Sequence, residues 1–180
     1  MKTKQVFSNI SDIAHLWANQ QQDSARNSAH NFYFNGNTIY SYGGHFPIAK
    51  HVELNGNDCI LFTEKSYSNT TAKHISVVRQ AANHLNLIYC LSPNATHEEN
   101  FKHWLINAEY VAKNLIKAKK PEKYLNEISY IATKVNKYAT FFSLEIPETL
   151  QAILNIGNKA QYLSYADKKA EYLKAEEIRK

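Results

Sequence analysis

Two Asn-Gly pairs, Asn35-Gly36 and Asn55-Gly56, constrain the fold of this chain more than any other feature. Each stands between short runs rich in β-branched and aromatic residues. Phe32 to Phe34 and Thr38 to Tyr42 flank the first; Ile48 to Leu54 and Cys59 to Thr63 flank the second. Asn-Gly suits a two-residue turn whose central residues both take positive φ, so each pair predicts a hairpin. Four short antiparallel strands follow, a meander with Gly43-Gly44 as the corner between the hairpins. In its second strand the period of two sets Thr38, Tyr40 and Tyr42 on one face and Ile39 and Ser41 on the other.

Helical patterns surround this meander. Ser11 is placed to cap a first helix running to about Arg26, with Ile13, Leu16 and Trp17 on its apolar edge and Asn19, Gln20, Gln21 and Gln22 on a polar one. Ser68-Asn69-Thr70-Thr71 reads as the start of a second helix reaching about Leu85, its buried stripe Ile75, Val78, Ala81, Ala82 and Leu85. Leu87 to Leu91 suits a fifth strand or a buried connector, and Ser92-Pro93-Asn94 breaks the chain. Beyond Thr96 the apolar residues recur at three and four. Pro121 and Pro147 mark helix starts, Gly157 marks an end, and 158–180 reads as a last helix. The expected fold is therefore α+β: an N-terminal helix, a four-stranded antiparallel meander with a packed helix, then a helical C-terminal half. The expected division is 1–92 for the motif-bearing part and 93–180 for a helical part packed on it as one compact domain, because no linker composition separates them.

Composition narrows the function classes. Lys and Arg outnumber Asp and Glu by 21 to 16, a net charge of +5 that suits a polyanionic partner. The two cysteines, Cys59 and Cys90, have no metal-site or disulfide spacing and read as buried thiols. The N-terminus lacks the apolar core of a signal peptide, and no run approaches the ~20 residues of a membrane helix. The expectation is a cytoplasmic protein without a membrane partner. No Walker A loop, GxGxxG or GxSxG is present, and Asp12, Asp23, Glu53, Asp58 and Glu64 lack the spacing of a magnesium or zinc site. No cofactor and no metal are expected.

Three places could carry chemistry. At the helix start, unpaired backbone N-H groups meet Ser68, Asn69, Thr70, Thr71 and Lys73, a setting for a phosphate or carboxylate. Simple capping accounts for one of those hydroxyls. At the corner, Tyr40, Ser41, Tyr42, Gly43 and His45 surround a backbone that glycine lets turn sharply. If corner and helix start meet, His45 and His74 could serve as acid and base on a phosphodiester; the alternative is that each histidine is structural. Third, Lys113, Lys117 and Lys120 recur at four and three and could follow a phosphate backbone, or simply form a solvated face.

The segments His15 to Gln20 (HLWANQ), Tyr40 to Ala49 (YSYGGHFPIA) and Tyr67 to Ala81 (YSNTTAKHISVVRQA) resemble a family of small proteins of unknown function encoded by phages and plasmids, whose members carry a Trp-containing helix, YSYGxHFxIA and YSxTTxxH in that order. About half of the chain is covered. The resemblance implies a mobile-element origin and a shared site of Trp17, Tyr40, Ser41, Tyr42, Gly43, His45, Ser68, Thr70, Thr71 and His74, and it implies no particular activity. Three functions remain open. They are a phage accessory protein binding an anionic partner, DNA or RNA first; a metal-independent nuclease or phosphodiesterase using His45 and His74; and a virion component or binder of a host or phage protein, without catalysis.

Overall fold

The computed structural model describes residues 1–157 and, after them, Asp167, Lys169, Ala170, Lys174, Glu177 and Ile178. The chain forms two compact units, Met1–Thr96 and His97–Lys180. Of the expected last helix only those six residues are described, and its Tyr162, Tyr165 and Tyr172 fall outside the described residues.

The first unit corrects the expected four-stranded meander. Its sheet has seven strands in sequence order: β1 (Val6–Phe7), β2 (Ser24–Asn27), β3 (Phe32–Asn35), β4 (Thr38–Ser41), β5 (Pro47–Leu54), β6 (Asn57–Thr63) and β7 (Leu87–Cys90). β2 to β6 pair antiparallel, whereas β1 on β2 and β6 on β7 pair parallel, so the sheet is mixed. A parallel neighbour needs a crossover, supplied by α1 (Ile10–Ala18) and α2 (Asn69–Ala81). β1, β2, β6 and β7 all run the same way and both crossovers step in the same direction. Right-handed connections therefore put both helices on one face, where α1 and α2 pack against each other.

The local chemistry explains where the elements begin and end. α1 starts at Asn9, whose Oδ1 accepts from the Ser11 amide at 2.9 Å, not at Ser11. It stops at Ala18, well before Arg26, because the amide run is used to turn the chain. Asn19 caps the helix end, and Gln22 Nε2 donates to the carbonyls of Lys4 (2.9 Å) and Ser24 (2.7 Å), tying the β1 side to β2. The β5–β6 turn is the expected one, with Asn55 and Gly56 both at positive φ. The β3–β4 turn is shifted by one residue: Asn35 pairs with Thr38, and of the central pair Gly36-Asn37 only Gly36 has positive φ. That is the II′ form, which asks for glycine first.

Between sheet and helices lies one core, with Trp17, Phe32, Phe34 and Phe62 among its fully buried members. Each such side chain contributes about 1.5–3 kcal/mol by leaving water. A bulge in β5 opposite Ile39 and Tyr40 turns the consecutive Ile48 and Ala49 both into this core.

The second unit is helical: α3 (His97–Lys117), α4 (Glu122–Phe142) and α5 (Glu148–Leu154), ending in a 3-10 turn (Asn155–Gly157). Trp104, Ala108, Val111 and Leu115 of α3 are buried, as are Ile128, Val135 and Tyr138 of α4 and Leu150 and Leu154 of α5, at the spacing read from the sequence. Tyr138 binds back to α3 through its hydroxyl, 2.6 Å from His97 Nδ1 and 3.0 Å from Asn100 Nδ2. Among the described residues no helix is long and apolar enough to cross a membrane.

Candidate functional site

Both crossover helices begin at the same end of the sheet, because β1 and β6 run the same way into them. The chain between β4 and β5, Tyr42 to Phe46, turns at this end too. The Tyr42 amide donates to the Asn31 carbonyl at 2.9 Å and the Ser41 amide to that of Phe46 at 3.0 Å. Tyr42 and Gly43 have φ of 53° and 75°. Glycine adopts that conformation freely; for tyrosine it costs about 1–2 kcal/mol. The Tyr42 ring is nonetheless kept there, 52% exposed.

Corner and α2 start do meet. Ser41 Oγ and His74 Nδ1 share a hydrogen bond of 2.8 Å, and the His74 ring stands 4.8 Å from that of Phe32 and 6.1 Å from that of Tyr42. Phe46 meets Tyr67 edge to face at 6.2 Å. Ser41 lies on the helix side because the period of two, with Ile39, points it there. His74 lies on the sheet side because it shares a helix face with Thr71, Ile75 and Val78. The pair pins the first turns of α2 to the middle of the sheet.

This contact sorts the candidate residues. His74 is only 3% exposed, and burial, followed by the nearby Lys73 charge, pushes its pKa below the ordinary histidine value. Ser68 caps α2: its Oγ accepts from the Thr71 amide at 3.2 Å and donates to Thr71 Oγ1 at 3.1 Å, and Thr71 is buried. Trp17 is a core residue, 1% exposed, its Nε1 donating to the Asn37 carbonyl at 3.0 Å. Asn69, Thr70, Lys73, Tyr42 and His45 are exposed, and Gly43 is half-buried. Tyr40 points to the other side of the sheet, stacked on Tyr33. In the second unit Lys113 and Lys117 are exposed on the last turns of α3, and Lys120 follows the helix end.

Acids are sparse around this end. No Asp or Glu occurs between Asp23 and Glu53, or between Glu64 and Glu98. Asp23, Glu53 and Asp58 lie at the opposite end of the sheet, next to β2 and in the β5–β6 hairpin, which leaves Asp12 in the first turn of α1 and Glu64 after β6. Among the described residues no group of three or more His, Cys, Asp or Glu could hold a metal ion.

Sequence reasoning missed His51. It lines a recess of about 380 Å³ at the far end of the unit, donates from Nε2 to the Trp17 carbonyl at 3.0 Å and stands 4.6 Å from the indole. Burial lowers its pKa against the opposing pull of the Trp17 carbonyl and Asp58. It also missed Arg26 and Tyr33, which border a second recess. A register with the β3–β4 turn one residue later would have placed Tyr33 opposite Tyr40. No protein-family model, no curated protein sequence and no solved structure matches this chain.

Proposed function

We propose that this protein is a non-catalytic accessory protein of a phage or other mobile element that binds an anionic partner, nucleic acid first, through the corner and α2 start of its N-terminal unit. The observation that carries this reading is the Ser41–His74 bond. It fixes an α2 tip with unpaired N-H groups beside a glycine corner, leaving Tyr42, His45, Asn69, Thr70 and Lys73 in solvent with no carboxylate among them. Lys113 and Lys117 add positive charge in the second unit. The mobile-element origin rests on the likeness of the three motif segments.

Catalysis by His45 and His74 has weaker support. His74 is packed against Phe32 and bonded to Ser41, and His45 is a solvated residue that no partner among the described residues holds in a reactive geometry. Binding of a host or phage protein has one observation in its favour: Ile106 and Tyr110, one turn apart on α3, are 56% and 69% exposed.

The test is retention of the full chain on immobilised DNA and on heparin as salt rises. Lys73→Glu is expected to elute at lower salt than the parent, as is Lys113→Glu combined with Lys117→Glu. Retention that ignores salt and both variants would refute the reading.

A further inference from the structure

The sheet face away from α1 and α2 carries a pattern that core packing does not require. Phe32 and Phe34 point into the core, so Tyr33 points out. Its cross-strand partners are Arg26 on β2 and Tyr40 on β4. Tyr33 and Tyr40 stack with centroids 5.0 Å apart and planes within 16°. Burial and the Tyr40 hydroxyl together raise the Tyr33 pKa, as expected for two phenols side by side. The adjacent row is Ser24, Asn35, Thr38 and Lys50. Neither row contains a carboxylate.

Beside Tyr33 opens a recess of about 430 Å³ lined by Gln5, Ser24, Arg26, His30, Tyr33 and Asn35, within the range of small-molecule sites. His30, at φ 57°, lines it from the β2–β3 turn. Neither tyrosine hydroxyl makes a hydrogen bond among the described residues, and the Arg26 guanidinium is held only to the Asn27 carbonyl, at 3.2 Å. A cross-strand aromatic pair by itself is ordinary sheet packing. What the pairing leaves over is a recess with a cation, an imidazole and several amides and hydroxyls on a face without acids.

We propose that this face binds single-stranded nucleic acid, with bases stacking on Tyr33 and Tyr40 and entering the recess between Tyr33 and Arg26, and phosphates drawn by Arg26, His30 and Lys50. Aromatics on adjacent strands suit unpaired bases, because every base has a stackable face while a duplex hides its own. The proposal rests on the nucleic-acid reading above and narrows it to single strands at a second surface.

The experiment is fluorescence anisotropy of labelled oligo-dT and oligo-U, and of a duplex of the same length, with the full chain. Tyr33→Leu keeps an apolar β-former, and Arg26→Gln keeps a hydrogen-bonding side chain. Each is expected to weaken oligo-dT or oligo-U binding about tenfold or more, while Gln80→Ala, exposed near the far end of α2, leaves it unchanged. In the parent protein, ultraviolet cross-linking is expected to attach the oligonucleotide within residues 24–50, a readout that does not depend on any variant folding. Single-strand binding weakened by Lys73→Glu but indifferent to Tyr33→Leu and Arg26→Gln would overturn this proposal and leave the helix-tip reading standing. A duplex that binds as tightly as the single strand would overturn it too. Absence of any nucleic-acid binding would remove both.

Discussion

The two units use buried polar groups differently. In the helical unit, periodicity does most of the positioning: the apolar stripes of α3, α4 and α5 meet, and the His97–Tyr138–Asn100 group is an addition to that packing. In the N-terminal unit, polar contacts tie the helices to the sheet: Trp17 to Asn37, His51 to Trp17 and Ser41 to His74. A crossover helix can slide on a sheet while keeping its apolar face buried, and a hydrogen bond of fixed length stops the slide. Part of the motif-rich stretch is therefore a set of fasteners. The residues left over, exposed and short of acids, are the ones free to bind.

That contrast can be broken most severely at Trp17. Trp17→Ala removes a fully buried ring and the Nε1 bond to Asn37, and should lower stability by about 4 kcal/mol in a urea titration. A loss below about 1 kcal/mol would mean that the α1 contact is not a fastener. Ser41→Ala is next, at about 2 kcal/mol, because it strands a buried imidazole nitrogen. Thr70→Ala, exposed one turn away, should stay within about 0.5 kcal/mol. Equal effects from the two would erase the division between fastening and free residues.

Tyr42→Gly sharpens the comparison from the other side. Relieving the left-handed backbone should leave stability unchanged or raise it by up to about 1 kcal/mol, while weakening retention on DNA. A clear loss of stability would make Tyr42 structural. The smallest effect is the pH dependence. His74 and His51 both have folded pKa values below the ordinary 6.5, chiefly from burial, so below that pH the unfolded chain takes up protons that the folded chain does not. Their contribution is complete above about 6.5 and declines as pH falls toward the lowered folded values. His74→Gln should flatten this slope in urea midpoints measured across the window; an unchanged slope would place the titration elsewhere.

Local signals made much of the N-terminal unit legible. Both hairpins, the alternation that separates Ser41 from Tyr40 and a helix start in the Ser68 to Thr71 run follow from turn chemistry and periodicity, while Leu87 to Leu91 read equally as a strand or a buried connector. What failed was non-local. β1 has two residues, and β2 (Ser24–Asn27) has no strand composition; both exist because they pair with each other and with β3. Without them the sequence suggests a longer α1 and a purely antiparallel sheet. The one-residue shift of the first turn has the same origin, since Asn35-Gly36 and Gly36-Asn37 are both acceptable turns and strand pairing selects the second. The meeting of corner and α2 start was legible from connectivity, whereas the burial of His74 depends on the helix face that packing selects.

The claim beneath these expectations is that Ser41 and His74 form one energetic unit joining the corner to α2. A double-mutant cycle with Ser41→Ala, His74→Ala and the combined variant, read as urea stability of the full chain, tests it directly. A coupling of about 1 kcal/mol or more is the predicted result. Additive effects, agreeing within about 0.3 kcal/mol, would contradict it.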